Sequence, residues 1–378
     1  MKNLLLISLD TVRADVAYSG NFQTIASLRR QGVTFLNTIS SSPFTTASHA
    51  TVFTGVHPPR HHIRHLFKEQ LNPKTKTLAQ ILKKAGYKTG AIVSCPGMNK
   101  WYGFSRGFDV YDDEIPRLAD GSDPLLTVDV KKRGAALKRA NVVVERAYNW
   151  LKRTKARPFF LFVHFFDAHW PYEAPEKYGG NNPYEEEVAY SDHYLGLFLK
   201  RIQKEGYLDN TTIVVFSDHG EDLEGWYPND KGGKKLGHPE ELGHGCLLYD
   251  QTQKVVLIMK DTQFLKNKNI EQQVRLVDLL PTLMDLLNMK TSIHPLDGIS
   301  LVPIVRYKKD FQLSAYSETF YPEEQARMGK YKNAKNKIAF RYANKNKSIF
   351  QLKSDIVEIY DLENDPNEKI NLYIMGKK

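Results

Sequence analysis

The chain has 378 residues, enough for one large α/β domain or two ordinary ones around a substantial core, and its 41% hydrophobic and 25% charged residues are the composition of a globular protein. The formal charge of +10, from 53 basic against 43 acidic side chains, favours anionic partners; the lysines are scattered and no arginine-rich helix is present, so a nucleic-acid partner is not expected. Cys95 and Cys246, the only two cysteines, lie far apart, which excludes a disulfide framework and points to a reducing cytoplasm. The opening MKNLLLISLD is too short in its apolar run for a signal peptide, and no run approaches the roughly 20 apolar residues of a spanning helix, so no membrane anchor is expected.

In chain order, Leu4–Leu9 is a continuous apolar strand of the kind buried on both faces of a parallel sheet, with Asp10 at its carboxyl end. Open α/β sheets bind ligands at that end. Ser42–Gly55 (SPFTTASHATVFTG) reads as a turn entering a helix N-terminus, its hydroxyls and imidazole too polar for core. Thr77–Gly86 is a helix closed by glycine and Tyr87–Ser94 the next strand. Asn141–Arg153 is an amphipathic helix leading into the strand Phe159–Phe166, which ends at Asp167-Ala168-His169. Tyr190–Gly206 is a helix before the strand Thr211–Phe216, which ends at Ser217-Asp218-His219-Gly220. Residues 220–248 form a polar, glycine-rich loop with His238 and His244, followed by a strand at Lys254–Met259 and a helix at Val274–Leu287. From about 310 the texture changes to short strands, Ile338–Tyr342, Ser348–Leu352 and Ile356–Leu362, as in a small antiparallel sheet.

Asp10, Asp167, His169, Asp218, His219 and His244 together form a mixed oxygen and nitrogen set, mostly directly after strands, that suits a divalent ion. Such an ion gives the Ser42–Gly55 segment a role. A threonine hydroxyl is a weak nucleophile at neutral pH, but coordination can lower its pKa by many units, as it lowers that of water from about 15.7 to roughly 7.

Ten segments resemble the sulfatase family of the alkaline phosphatase superfamily: ISLDTVRAD, SPFTTASHATVFTG, TLAQILKKAGYKTG, GFSRGFDVYD, FFDAHWPY, FSDHGED, LGHGCLLYD, VDLLPTLMDLL, DGISLVPI and IYDLENDPNEKINL, in the family's order. The resemblance implies an alkaline-phosphatase-like α/β fold, a mostly parallel central sheet flanked by helices. Residues 1–309 would form the catalytic domain and 310–378 a small C-terminal α+β subdomain completing the same fold. It makes Asp10, Thr45, Asp218 and His219 ligands of one divalent ion, with Thr45 also the nucleophile. His169 and His244 would bind the transferred group, protonate the leaving group, or hold a second metal.

The departures redirect the chemistry. Sulfatases proper oxidise a cysteine or serine to formylglycine within a Cys/Ser-x-Pro-Ser-Arg run; counted from Thr54-Gly55, this chain has Thr45 at that position, Ala47 for the proline and His49 for the arginine. Threonine cannot become formylglycine by that route. His49 is assigned by its position to substrate binding, with His169 and His244. The family's adjacent aspartates are reduced to Leu9-Asp10, which favours zinc or manganese over calcium or magnesium, and Asp167 leaves open a second ion. The expectation is a cytoplasmic, metal-dependent hydrolase or transferase of a small anionic phosphate ester, a phosphodiester or phosphonate ester, through phospho-Thr45. The alternatives are a sulfate-ester hydrolase without formylglycine and a non-catalytic scaffold for anionic glycans or lipids.

Overall fold

Seven consecutive buried residues place the first strand, Asn3–Leu9, inside the sheet rather than at its edge. The computed structural model describes residues 1–66, 68–118, 120–127, 138–155, 157–223, 243–289, 295–327 and 334–373; His238 lies outside them. In chain order their strands are β1 (Asn3–Leu9), β2 (Val33–Phe35), β3 (Thr38–Ile39), β4 (Lys88–Ile92) and β5 (Val110–Asp112). Then come β6 (Phe159–Phe165), β7 (Thr211–Phe216), β8 (Lys254–Val255), β9 (Leu257–Lys260), β10 (Lys268–Ile270) and β11 (Val274–Arg275). Last are β12 (Ala315–Thr319), β13 (Lys337–Arg341), β14 (Asn346–Gln351) and β15 (Val357–Asp361).

The main sheet has eight strands in the order β10-β2-β9-β7-β1-β6-β4-β5. Strand β1 pairs in parallel with β6 on one side (Leu6 opposite Phe162) and with β7 on the other (Leu6 opposite Val214). Only β9 runs against its neighbours, β7 and β2. The carboxyl ends of β1, β4, β6 and β7 therefore share one edge, as expected for a ligand site in an open α/β sheet. Side chains alternate across a strand, so Leu4 and Leu6 enter one core with Phe160, Phe162, Val214 and Phe216, while Leu5, Ile7 and Leu9 enter another. Helix Thr45–Thr54 covers the first face; helices Gln23–Gln31, Ala140–Thr154 and Pro183–Lys204 cover the second. Full burial of each such aliphatic side chain contributes roughly 1.5–3 kcal/mol.

The antiparallel sheet β12-β13-β14-β15 packs Ala339, Ile349, Tyr360 and Leu362 against Cys246–Tyr249, so it shares a small core with the segment that carries His244. No helix among the described residues is long and apolar enough to cross a membrane.

Three elements differ from the sequence reading. The helix expected from Tyr190 begins at Pro183, because Asn182 caps it (its Oδ1 accepts from the Glu185 amide at 3.0 Å) and proline opens the first turn. The helix expected from Val274 begins at Leu279: Val274 is drawn into a strand by the Asn37 carbonyl (2.9 Å), and Asp278 holds the Arg275 amide (2.9 Å). The strand expected at Lys254–Met259 divides between two sheets, and at the break Val256 donates to Ser217 Oγ (2.8 Å).

Candidate active site

Asp10, Asp218 and His219 follow directly from β1 and β7, adjacent parallel strands, and all three are buried. One ligand-type atom from each lies within 4.8 Å of the others. Oδ1 of Asp218 accepts the backbone amides of Thr11 (3.2 Å) and His219 (3.0 Å), whereas its Oδ2 and Asp10 Oδ1 are buried without a hydrogen-bond partner. Thr11 itself holds φ +60°, a strained conformation that turns its amide to this carboxylate. His219 Nδ1 meets the Gly220 carbonyl (2.9 Å), which only accepts, so Nδ1 carries the hydrogen and Nε2 presents its lone pair. Two orphaned carboxylate oxygens and an open imidazole nitrogen in one buried cluster fit a divalent cation. Burial lowers His219, but Asp218 and Asp10 outweigh it and raise the affinity of Nε2 for positive charge, a proton or a metal ion alike; burial pushes Asp10 the other way, up, against the pull of His219 and His169.

Thr45, the first residue of helix Thr45–Thr54, brings its hydroxyl to this cluster, 3.2 Å from Asp10 Oδ2 and 3.4 Å from His219 Nε2. No side chain caps that helix start. The next hydroxyl is turned elsewhere: Thr46 Oγ1 donates to the Gly97 carbonyl at 2.8 Å. The helix is held by Ser48 Oγ on the Asp218 carbonyl (2.7 Å) and closed by Gly55 at φ +66°.

His49 lies behind Thr45 rather than in front of it. Its Nδ1 donates to the Thr45 carbonyl (2.8 Å) and its Nε2 meets Ser8 Oγ (2.8 Å), so both nitrogens are committed within the fully buried layer under the helix. His169 and His244 do face the cluster: the His244 ring centroid is 4.3 Å from that of His219 and 4.9 Å from that of His169. Burial lowers both imidazoles, His169 to about 3. Asp167 points away. It accepts from the Ala140 amide at the start of helix Ala140–Thr154 (3.0 Å) and faces Arg139 (3.4 Å). Of the histidines after the helix, His57 meets Ser41 (3.1 Å), His61 meets Thr51 (3.1 Å) and His65 meets Glu69 (3.0 Å).

Three contributors escape the sequence reading. His164, inside β6, meets Asp10 Oδ2 at 3.1 Å. Glu221, with a fully buried side chain, holds His244 Nδ1 at 3.0 Å. Cys95, after β4, is buried and unlinked, and burial beside Asp10 raises its thiol far above the usual range. Alternation on β6 could have marked His164 as facing the Asp10 side, and Glu221 falls two residues after a strand-end ligand.

A family model described as Sulfatase matches residues 2–289, and one described as N-sulphoglucosamine sulphohydrolase, C-terminal, matches residues 244–377. The uncharacterized sulfatase YidJ of Escherichia coli is 23% identical over 447 residues, covering 98% of this chain and 82% of its own. Arylsulfatase K of Bos taurus is 20% identical over 453 residues, covering 98% and 78%. Among solved structures, one in complex with its substrate D-glucosamine-2-N,6-O-disulfate gives a TM-score of 0.75 at 17% identity over 100% of this chain and 94% of that one. The phosphonate monoester hydrolase of Agrobacterium radiobacter gives 0.72 at 18% identity over 98% and 91%. At these identities the solved structures show a common fold.

Proposed function

Because the chain belongs to the sulfatase family of ester hydrolases, we propose that it hydrolyses a singly charged phosphate ester, a phosphodiester or phosphonate ester, with unmodified Thr45 as its nucleophile. The observation that carries this reading is the Thr45 hydroxyl, 3.2 Å from Asp10 and 3.4 Å from His219 beside the two orphaned carboxylate oxygens. Asp10, Asp218, His219 and Thr45 would hold one divalent ion, zinc or manganese by the imidazole among the donors. Bound there, the ion supplies positive charge that lowers the pKa of the Thr45 hydroxyl and offsets charge on the ester oxygens.

The protein's own groups complete the reaction. Asp10 Oδ2 receives the hydrogen bond of Thr45 Oγ1, and the uncapped helix start favours the anionic group in front of it. As Thr45 Oγ1 attacks phosphorus its proton passes to Asp10 Oδ2, and the bond to the leaving oxygen breaks with its electron pair on that oxygen, which takes a proton from His169 or His244. Water then opens phospho-Thr45. His49, with both nitrogens engaged, supports the segment from behind. One grouped donor set among the described residues, with Asp167 turned to Arg139, supports a singly charged ester over a phosphate monoester dianion. The unlinked buried thiols support a cytoplasmic setting.

The second reading is a sulfate monoester hydrolase using the same threonine, supported by the sulfohydrolase match at residues 244–377 and by the sulfatases among the relatives. Aryl sulfate, phosphate, phosphodiester and phosphonate substrates assayed with zinc, manganese and calcium separate the two. Fastest turnover of the phosphodiester or phosphonate is expected; faster sulfate hydrolysis with every metal overturns the preference.

A further inference from the structure

The carboxyl ends of β1 and β7 carry the site, and the opposite edge of the same sheet carries a different surface. Strand β9 runs against β7, with Lys260 opposite Ile213, so its end joins the starts of β1 and β7, roughly 20 Å along the strands from Asp10. The loop beyond β9 presents Leu265, 71% exposed, and helix Val302–Tyr307 ends in Tyr307, 73% exposed. Lys268, three residues after Leu265, donates its Nζ to the carbonyl of Val305, two before Tyr307, at 2.5 Å, which brings the two side chains to one side of the molecule. One exposed apolar side chain is ordinary. These two stand among cations.

Lys266 follows Leu265 and Lys308 follows Tyr307, both exposed. The amide of Lys268 bonds to the Gly32 carbonyl (3.2 Å), which sets Arg30 beside the same loop. Arg30, Lys200 and Lys260 surround a groove of about 570 Å³ between helices Gln23–Gln31 and Pro183–Lys204. Arg30, Lys200 and Lys266 have no ion-pair partner among the described residues. Asp261, the carboxylate between Lys260 and Lys266 in the chain, is buried and bound to Lys2 at 2.6 Å. Burial and then Lys266 hold Lys260 below its ordinary pKa, the mark of like charges left unneutralised. The dipole of helix Gln23–Gln31 accounts for Arg30 in its last turn, but not for Lys260 and Lys266 or for the apolar side chains beside the cations.

We propose that this edge docks the protein on an anionic lipid bilayer, with Leu265 and Tyr307 entering the interface and the surrounding cations resting on acidic headgroups. Unpaired cations around apolar tips match that occupant. A polyanion such as nucleic acid takes the charge but gives Leu265 no apolar surroundings. Docked by this edge, the protein turns the carboxyl ends of β1 and β7 away from the bilayer, so docking is independent of the chemistry at Thr45.

Co-sedimentation of the full chain with phosphatidylcholine vesicles, with and without phosphatidylserine, tests the docking. Binding is expected only where phosphatidylserine is present and should weaken steeply between about 50 and 500 mM salt. K200Q and K266Q should each weaken it about five-fold. The double variant L265A/Y307A should weaken it about ten-fold or more, with its melting temperature unchanged because both side chains face solvent. T45A should bind vesicles as wild type does, so loss of the Thr45 assignment leaves the docking standing. Duplex DNA and heparin serve as competitors. Tighter binding to either of them than to the vesicles, undiminished in L265A/Y307A, assigns the edge to a polyanion and overturns the proposal. Equal binding to the two kinds of vesicle, no binding at low salt, or lipid binding unmoved by the four substitutions overturns it as well.

Discussion

The hydroxyl of Thr45 lies 3.2 Å from Oδ2 of Asp10, although 35 residues separate them in the chain. That contact joins the carboxyl end of β1 to the start of the helix packed on its face, and it depends on which of two adjacent threonines is turned inward. Thr46 is spent on Gly97. T45A should therefore lower turnover by a factor on the order of 10³ or more with the fold intact. T46V, which removes a neutral hydrogen bond, should cost about 1 kcal/mol of stability and change kcat only a few-fold. Steady-state kinetics and thermal melts of the two variants separate the roles.

Two buried carboxylate oxygens without partners are costly until a cation joins them. Adding zinc or manganese at 100 times its Kd to protein stripped by chelator should stabilise the wild type by about 2.7 kcal/mol. D218N should lose most of that gain. Melting curves with and without metal provide the check, and an equal shift in wild type and D218N would place the ion elsewhere.

Away from this cluster, Glu187 is a buried carboxyl beside Arg139, with its Oε1 on the Glu173 amide (2.8 Å). Burial pushes it up to about 7, outweighing Arg139, while Asp167 on the same cation adds to the rise. A carboxyl whose folded pKa lies above its unfolded value binds more protons folded than unfolded, so its contribution falls as pH rises from about 4.5 to 7. Urea denaturation at pH 5 and pH 7 should show wild type losing stability relative to E187Q at the higher pH. A gap independent of pH would show that Glu187 does not titrate in that window.

At Gly245, φ +112° and the Tyr321 ring leave no room for a side chain. G245A should destabilise by on the order of 2 kcal/mol and shift the neighbouring His244, lowering kcat as well as the melting temperature. An unchanged kcat would show that the His244 ring is held without this turn.

The strands and helices that position the site are readable in the chain wherever the pattern is local. The apolar runs of β1, β6 and β7 announce doubly buried strands, and Asp10, Asp218 and His219 follow directly from two of them. What the sequence hides are relations set by packing. His49 sits four residues from Thr45, one helical turn, yet its distance from substrate depends on Ser8 across the core. Asp167 has the same strand-end setting as Asp218, but Arg139 and a helix amide claim it. The strand β12 is short and half polar, and only its pairing with β13 defines it. The early start of helix Pro183–Lys204, by contrast, was written in Asn182-Pro183.

The central claim, that unmodified Thr45 carries the transferred group, is tested most directly by quenching the enzyme in acid during turnover of a phosphodiester and mapping its peptides by mass spectrometry. The expected result is a peptide spanning Thr45 that is heavier by one phosphoryl group, with the group on Thr45 and absent from T45A. Continued turnover with Thr45 unmodified, or the group on another residue, would contradict it.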